Sequence, residues 1–199
     1  MKLLYIDLLD EIFRFTDKPQ FVLYFKRLLT RQTIRVLYKS LSFDKQAKKG
    51  NLQTVKYLHL IGAECTTYAI DWASRNNCLD VVKYLHEIVG AKCTTDAMDR
   101  SSENGFLDVV KYLHETVNAK CTTDAMDWAS ENGFLEVVKY LHETVGSTCT
   151  NEGMTYTCKN GLLKVVKYLH ETVGVKFTED HMEYSCNYGR YNVVKYLHE

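Results

Sequence analysis

The string VVKYLHE begins at Val81, Val109, Val137, Val165 and Val193, and a sixth version, TVKYLHL, begins at Thr54. The histidines of these strings are His59, His86, His114, His142, His170 and His198. They recur with a period of roughly 28 residues, and self-similarity at a fixed period of this size dictates an array of one supersecondary unit rather than a single globular site. The first interval is one shorter than the other four because of the linker: LIGAE separates His59 from Cys65, whereas EIVGAK separates His86 from Cys93. The copies are numbered 1 to 6 below, by these histidines.

Copy 4, CTTDAMDWASENGFLEVVKYLHETVGS, divides into two helical segments. Thr122 or Thr123 is suited to cap the first, with Asp124 in its electropositive first turn. Ala125, Met126, Trp128 and Ala129 follow at helical spacing, and Asn132-Gly133 stops the helix. Other copies place Gly50, Asn77, Gly105, Gly161 and Gly189 in the glycine slot. Gly and Asn are the residues that best tolerate a left-handed backbone, so the slot reads as a helix-terminating turn. From about Leu135 to Thr144, the residues Leu135, Val138, Leu141 and, just beyond, Val145 make one apolar stripe, ended by Gly146. No segment alternates with a period of two for long enough to suggest a sheet. One such hairpin cannot bury its apolar face alone, so neighbours must stack into an all-α solenoid.

On those residues the chain resembles the ankyrin-repeat family, whose pattern is roughly T-P-L-H-x-A-A-x-x-G-H-x-x-V-V-x-x-L-L followed by G-A. Asp124, Ala125, Met126 and Asp127 fall in the TPLH slots, Ala129 and Ser130 in the small pair, and Gly133 at the glycine. Phe134 takes the following histidine slot, and Val137, Val138, Tyr140 and Leu141 match the second helix; Gly90-Ala91 matches the G-A. The likeness covers about residues 43–199. TPLH itself is absent, which leaves the family's inter-repeat hydrogen-bond network without its usual Thr and His. The period also falls short of the family's usual repeat of roughly 33 residues. GAKCTTDA is too short for the family's β-hairpin finger, so the resemblance implies an ankyrin-like helical-hairpin solenoid with fingers trimmed to turns. Near-identical units of this kind are similar to the expanded ankyrin proteins of large DNA viruses of amoebae.

Residues 1–42 do not share the repeat. Leu4, Leu8, Leu9, Ile12 and Phe13 suggest one amphipathic helix, and Pro19 suits the start of another. One reading is a helical cap that covers the apolar face of the first repeat. The other is that LYIDLLDEIFRF resembles an F-box, with Tyr5 replacing its proline. That resemblance implies docking of a Skp1-like adaptor of a ubiquitin ligase through Leu4, Leu8, Leu9, Ile12 and Phe13, with the repeats recruiting substrate.

Composition narrows the partners. Lys plus Arg is 25 and Asp plus Glu is 25, a zero balance that argues against a nucleic-acid binder. No run of about 18 uncharged apolar residues exists to span a membrane. The start, MKLLYIDLLDEIFRF, has Asp7, Asp10 and Glu11 where a signal peptide needs an apolar run. The chain therefore reads as intracellular and cytoplasmic, in the host cytoplasm if the protein is viral. Its seven cysteines are odd in number and form no CxxC, which reads as reduced thiols.

The repeated histidines do not suit a metal. Equivalent helices of adjacent copies pack ~8–10 Å apart, whereas two zinc-bound nitrogens each lie ~2.1 Å from the ion. The cysteine ladder Cys65, Cys93, Cys121 and Cys149 is likewise too widely spaced for disulfides, which need Cα atoms within ~7 Å. Phe177 fills that slot in copy 6 and Cys158 and Cys186 replace Ser130, so these positions read as packing. No nucleophile-base arrangement, phosphate loop or paired-carboxylate motif emerges, so neither an enzyme nor a cofactor is expected. Lys83, Lys111, Lys139, Lys167 and Lys195 each precede a glutamate by four and read as a solvated helix face.

The differences among copies are more informative for binding. One first-helix slot holds Trp72, Arg100, Trp128, Tyr156 and Tyr184 in copies 2 to 6. Three residues on stand Arg75, Glu103, Glu131, Lys159 and Asn187. The family's first helices line a concave binding face, so the resemblance places both rows near a groove. Aromatics with an arginine are the composition enriched in interface hot spots, while packing between repeats is the competing reading for the aromatics. The charged row is expected to be exposed. The functional expectation is a non-enzymatic scaffold that binds a host or other cellular protein through this face.

Overall fold

The computed structural model describes residues 42–60 and 62–198. Leu4, Leu8, Leu9, Ile12 and Phe13, and with them both readings of residues 1–42, lie outside the described residues.

Among the described residues twelve α-helices follow in pairs. Copies 1 and 2 contribute α1 (Phe43–Lys48), α2 (Leu52–Leu60), α3 (Tyr68–Arg75) and α4 (Leu79–Tyr84) to a first compact unit that ends at Lys92. Copies 3 to 6 form a second unit that begins at Cys93. Its helices are α5 (Thr95–Glu103), α6 (Leu107–Glu115), α7 (Thr123–Glu131), α8 (Leu135–Tyr140), α9 (Asn151–Asn160), α10 (Leu163–Tyr168), α11 (Glu179–Asn187) and α12 (Tyr191–His198). The fold is all-α and ankyrin-like. No strand occurs among the described residues, and the segment between one hairpin and the next is a short turn.

In the second unit the first helices α5, α7, α9 and α11 pack in succession, with α6, α8, α10 and α12 as a second layer; α1 packs on α3 in the first unit. Thr122 takes the capping role: its side chain accepts from the Asp124 N–H at 3.1 Å, and Thr94 does the same for Asp96 at 3.2 Å. Between the layers lie fully buried Met98, Met126, Val110, Val138, Leu113 and Leu141. Burial of each such side chain is worth about 1.5–3 kcal/mol and is the main force holding the stack.

The turn after each first helix is left-handed in all six copies, with φ from +58° at Asn77 to +80° at Gly133. At Gly105 a second requirement is superimposed, because an added Cβ would stand 2.5 Å from the Phe134 ring of the next copy. The glycine therefore serves both the turn and the close approach of the neighbour.

The second helices end differently from a simple α-helix. In copies 2, 4 and 5 the last turn widens to a π-turn, at Leu85–Val89, Leu141–Val145 and Leu169–Val173. It closes on a left-handed glycine, and the next N–H reaches back six residues, as from Ser147 to the Leu141 carbonyl at 2.9 Å.

Candidate functional site

The polar residues of the repeated string are spent on joining copies. Tyr140 of copy 4 donates its hydroxyl proton to Glu115 of copy 3 at 2.9 Å and lies 3.2 Å from His114 Nδ1. With the phenolic proton committed to the carboxylate, His114 supplies the proton of its own contact. Lys111, also of copy 3, stands 5.8 Å from the centroid of the same ring. Tyr196 repeats the arrangement with Glu171 at 2.8 Å, His170 at 3.0 Å and Lys167 at 5.0 Å, and Tyr168 donates to Glu143 at 2.8 Å. Burial against the preceding copy, followed by the carboxylate, pushes Tyr140, Tyr168 and Tyr196 up to about 12. At Tyr140 and Tyr196, lysine, histidine and glutamate of one copy thus grip the tyrosine of the next.

The lysines lie at the surface as expected, with Lys83, Lys167 and Lys195 exposed and Lys111 and Lys139 half-buried, but Glu115, Glu143 and Glu171, four residues on, also serve the next copy. Glu143 is taken by Tyr168, and Lys139 pairs instead with Glu136 at 2.9 Å.

A second ladder restores the hydrogen bonds that the altered TPLH slots had put at risk. Asp99 accepts from the Thr122 N–H at 2.9 Å and its hydroxyl at 3.0 Å. Asp127 holds Thr150 in the same way, at 2.8 and 2.6 Å, and Asp44 holds Thr66 at 3.1 and 2.7 Å. Aspartate in the family's histidine slot therefore anchors the start of the following first helix. Copy 5 has Thr155 there. The start of α11 is anchored from within copy 6, where fully buried His181 accepts the Thr178 N–H through Nδ1 at 3.0 Å. Its Nε2 lies 3.3 Å from the Asn151 carbonyl. The sequence signal for this exchange was present: the aspartate disappears one copy before the histidine appears.

The thiols serve packing with one exception. All seven cysteines are free. Cys158 is buried, which pushes its thiol up to about 11, whereas its equivalent Cys186 is exposed. Phe177 spends its bulk on His170, with ring centroids 3.9 Å apart.

The two expected rows remain on the first helices. In the first unit Trp72 is half-buried, stacked on Tyr68 at 5.5 Å with Lys48 5.6 Å from its ring, and Arg75 is exposed. In the second unit Arg100 lies 4.3 Å from the centroid of the Trp128 ring and pairs with Glu103 at 3.0 Å. Tyr156 and Tyr184 are open to solvent, at 37% and 41% exposure. The charged row is less exposed than expected. Asn187 is exposed, but Glu103, Glu131 and Lys159 are half-buried, because Glu103 turns to Arg100 and Lys159 lies against Tyr156 and Tyr188. Trp72, Trp128 and Tyr156 each carry an internal cation, so part of the aromatic row does serve packing.

Tyr188, Arg190 and Tyr191, beside this row in copy 6, were missed. They depart from the Asn-Gly-x-Leu turn of copies 3 to 5, a signal that only a comparison of the turns would have exposed. An open groove of about 570 Å³ lies elsewhere, between the loops that follow α6 and α8, lined by His114, Lys120, Cys121, Ser147 and Thr148 among others; no row residue lines it.

Residues 70–152 match the family model described as ankyrin repeats, in three copies. Repeats of this family generally mediate protein–protein interaction and are typically non-enzymatic. No curated protein shows significant similarity to the chain. The matched segment runs from α3 to the start of α9, and paired helices also stand on either side of it. Among the described residues no helix is long and apolar enough to cross a membrane.

Proposed function

We propose that this protein binds another protein through the face formed by its first helices, the concave face of an ankyrin-like array. The observation that carries this reading is a division of labour between the helices. The polar groups of the second helices are occupied by neighbouring copies, whereas the first helices vary between copies and leave Tyr156 and Tyr184 open. Residues that repeat one contact from copy to copy are constrained to stay alike, and residues that differ are available for specificity. Trp128, Arg100 and Glu103 form the preorganised centre of this face, since their mutual contacts fix three side chains before any partner arrives. Glu131, Lys159 and Asn187 supply its charge and polarity in the second unit, and Arg75 is an exposed charge on a first helix of the first unit.

The test is site-specific photo-crosslinking in cells that express the protein, with the reactive side chain placed at Tyr184 or at Lys139 on a second helix. Adducts to another protein should form from position 184 and be absent from position 139. Equal labelling from both positions would overturn the assignment of the face.

A further inference from the structure

The turn between the two helices of each copy changes character along the second unit. It reads ENGFLD from Glu103, ENGFLE from Glu131, KNGLLK from Lys159 and NYGRYN from Asn187. The first two turns are acidic, and two of their acids are neutralised at home: Glu103 by Arg100 at 3.0 Å, Glu136 by Lys139 at 2.9 Å. The last two are basic, and Lys159, Lys164 and Arg190 form no ion pair among the described residues. The change of sign coincides with the arrival of exposed tyrosines. Tyr188 stands where copies 2 to 5 have asparagine and Tyr191 where they have leucine, with exposures of 47% and 74%.

Stacking of the copies does not require these tyrosines. In copies 4 and 5 the turn asparagine ties one copy to the last, Asn132 donating to the Glu103 carbonyl at 3.1 Å and Asn160 to the Glu131 carbonyl at 2.8 Å. In copy 6 Arg190 takes over that duty, its Nε donating to the Lys159 carbonyl at 2.7 Å. The asparagine slot is thereby released for Tyr188. The Lys159 ammonium then lies between two rings, 5.5 Å from Tyr156 and 4.9 Å from Tyr188.

We infer that this edge of copies 5 and 6 docks an acidic segment of a partner protein. Its carboxylates meet Lys159, Lys164 and Arg190, and its apolar side chains lie on Tyr156, Tyr188 and Tyr191. The inference rests on the protein-binding reading above and names the chemistry of the partner. Complementary charge without an internal counter-ion favours acids, and rigid tyrosines offer contact area at low entropic cost. A nucleic acid is the poorer fit, because three cations in a chain of zero net charge fall short of the basic excess that tracking a phosphate backbone requires. Exposed Glu152, Glu179, Asp180 and Glu183 on the same two first helices confine the ground favourable to carboxylates to the turn edge.

The test is fluorescence anisotropy of the full chain with a labelled peptide that alternates glutamate with leucine and phenylalanine. Its glutamine and lysine counterparts and an oligothymidylate are measured alongside. The acidic peptide should bind in a salt-sensitive manner, and K159E/K164E should weaken it by about tenfold or more. Lys159→Met, which keeps the stem between the rings, should weaken it less. The charge-matched pair K120E/K176E, in the loops before the first helices, should leave it unchanged. Equal binding of the glutamine peptide, tighter binding of the oligothymidylate, or equal loss in the control pair would overturn the inference. So would absence of binding by the acidic peptide, an outcome that leaves crosslinking from position 184 as an independent measure of the broader reading.

Discussion

Tyr140 and Glu115 sit in successive copies of the same string and share one proton across 2.9 Å. Neither residue has a comparable partner within its own copy, so the bond reports stacking rather than helix formation. Tyr140→Phe should lower unfolding free energy by about 1 kcal/mol, the usual net worth of such a bond. Glu115→Ala should lose a similar amount, with little further loss in the double variant, because both substitutions remove one interaction. Additive losses in urea denaturation would mean that the pair does not join the copies.

The same contact predicts an alkaline limit. An unfolded tyrosine gives up its proton near its ordinary value of 10.0, whereas Tyr140, Tyr168 and Tyr196 hold theirs to about 12. Between those values the native state keeps protons that the unfolded state has released. The stabilisation is complete below pH 10 and declines as the pH rises through about 12. Thermal unfolding followed across this window should show a falling midpoint, with a shallower fall in Tyr140→Phe.

The glycines of the first turn separate two costs. Gly133→Val should destabilise by roughly 1–2 kcal/mol because a branched residue resists φ near +80°. Gly105→Ala carries the backbone cost and also drives a Cβ into the Phe134 ring, 2.5 Å away, whereas at Gly133 the nearest atom belongs to the flexible Leu162 at 3.1 Å. Gly105→Ala should therefore cost more than Gly133→Ala, and Phe134→Leu should recover part of the difference. Equal melting temperatures for the two alanine variants would refute the steric component.

Asp127 anchors both the N–H and the hydroxyl of Thr150, so its loss removes a charged acceptor from two donors at once. Asp127→Ala should cost about 1.5–3 kcal/mol, with faster amide exchange at the start of α9 than at the start of α7. Gly153 fits the same contact, since a Cβ there would meet the Asp127 carboxylate. Gly153→Ala in the Asp127→Ala background should be milder than Gly153→Ala alone.

The repeat period, the paired helices and the left-handed turns were legible because each is written several times in one chain. A requirement repeated at Gly50, Gly105, Gly133, Gly161 and Gly189 cannot be an accident of one loop. The repeated histidine and tyrosine read as packed at the boundaries between copies, and they are. What lay out of reach was which residue each meets, because the spacing that relates Tyr140 to His114 is set by stacking and not by helical period. The glutamates illustrate the point: the lysine–glutamate spacing marks a solvated helix face, but that Glu143 goes to Tyr168 is set across copies. The candidate rows were drawn from differences among copies, but the exposure of each member was not legible there. Whether Glu103 faces solvent depends on Arg100 reaching it, a rotamer choice that spacing does not encode.

Copy 1 offers a constructive test of the clamp, because Leu60 occupies its glutamate position. Among the described residues Tyr84 accordingly has His59 at 2.9 Å and no carboxylate contact beside it, and burial is the cause of its upward shift. Leu60 is 49% exposed, so a glutamate there forfeits little packing. Leu60→Glu should add an acceptor for the Tyr84 hydroxyl and stabilise by about 0.5–1 kcal/mol. It should also move the Tyr84 titration upward towards that of Tyr140, as read by ultraviolet absorbance. With the phenolic proton drawn to the new carboxylate, His59 must present Nδ1–H to the tyrosine oxygen, a tautomer that nitrogen chemical shifts distinguish. A variant that is no more stable and leaves Tyr84 titrating as before would show that Glu115, Glu143 and Glu171 are bystanders to their tyrosines.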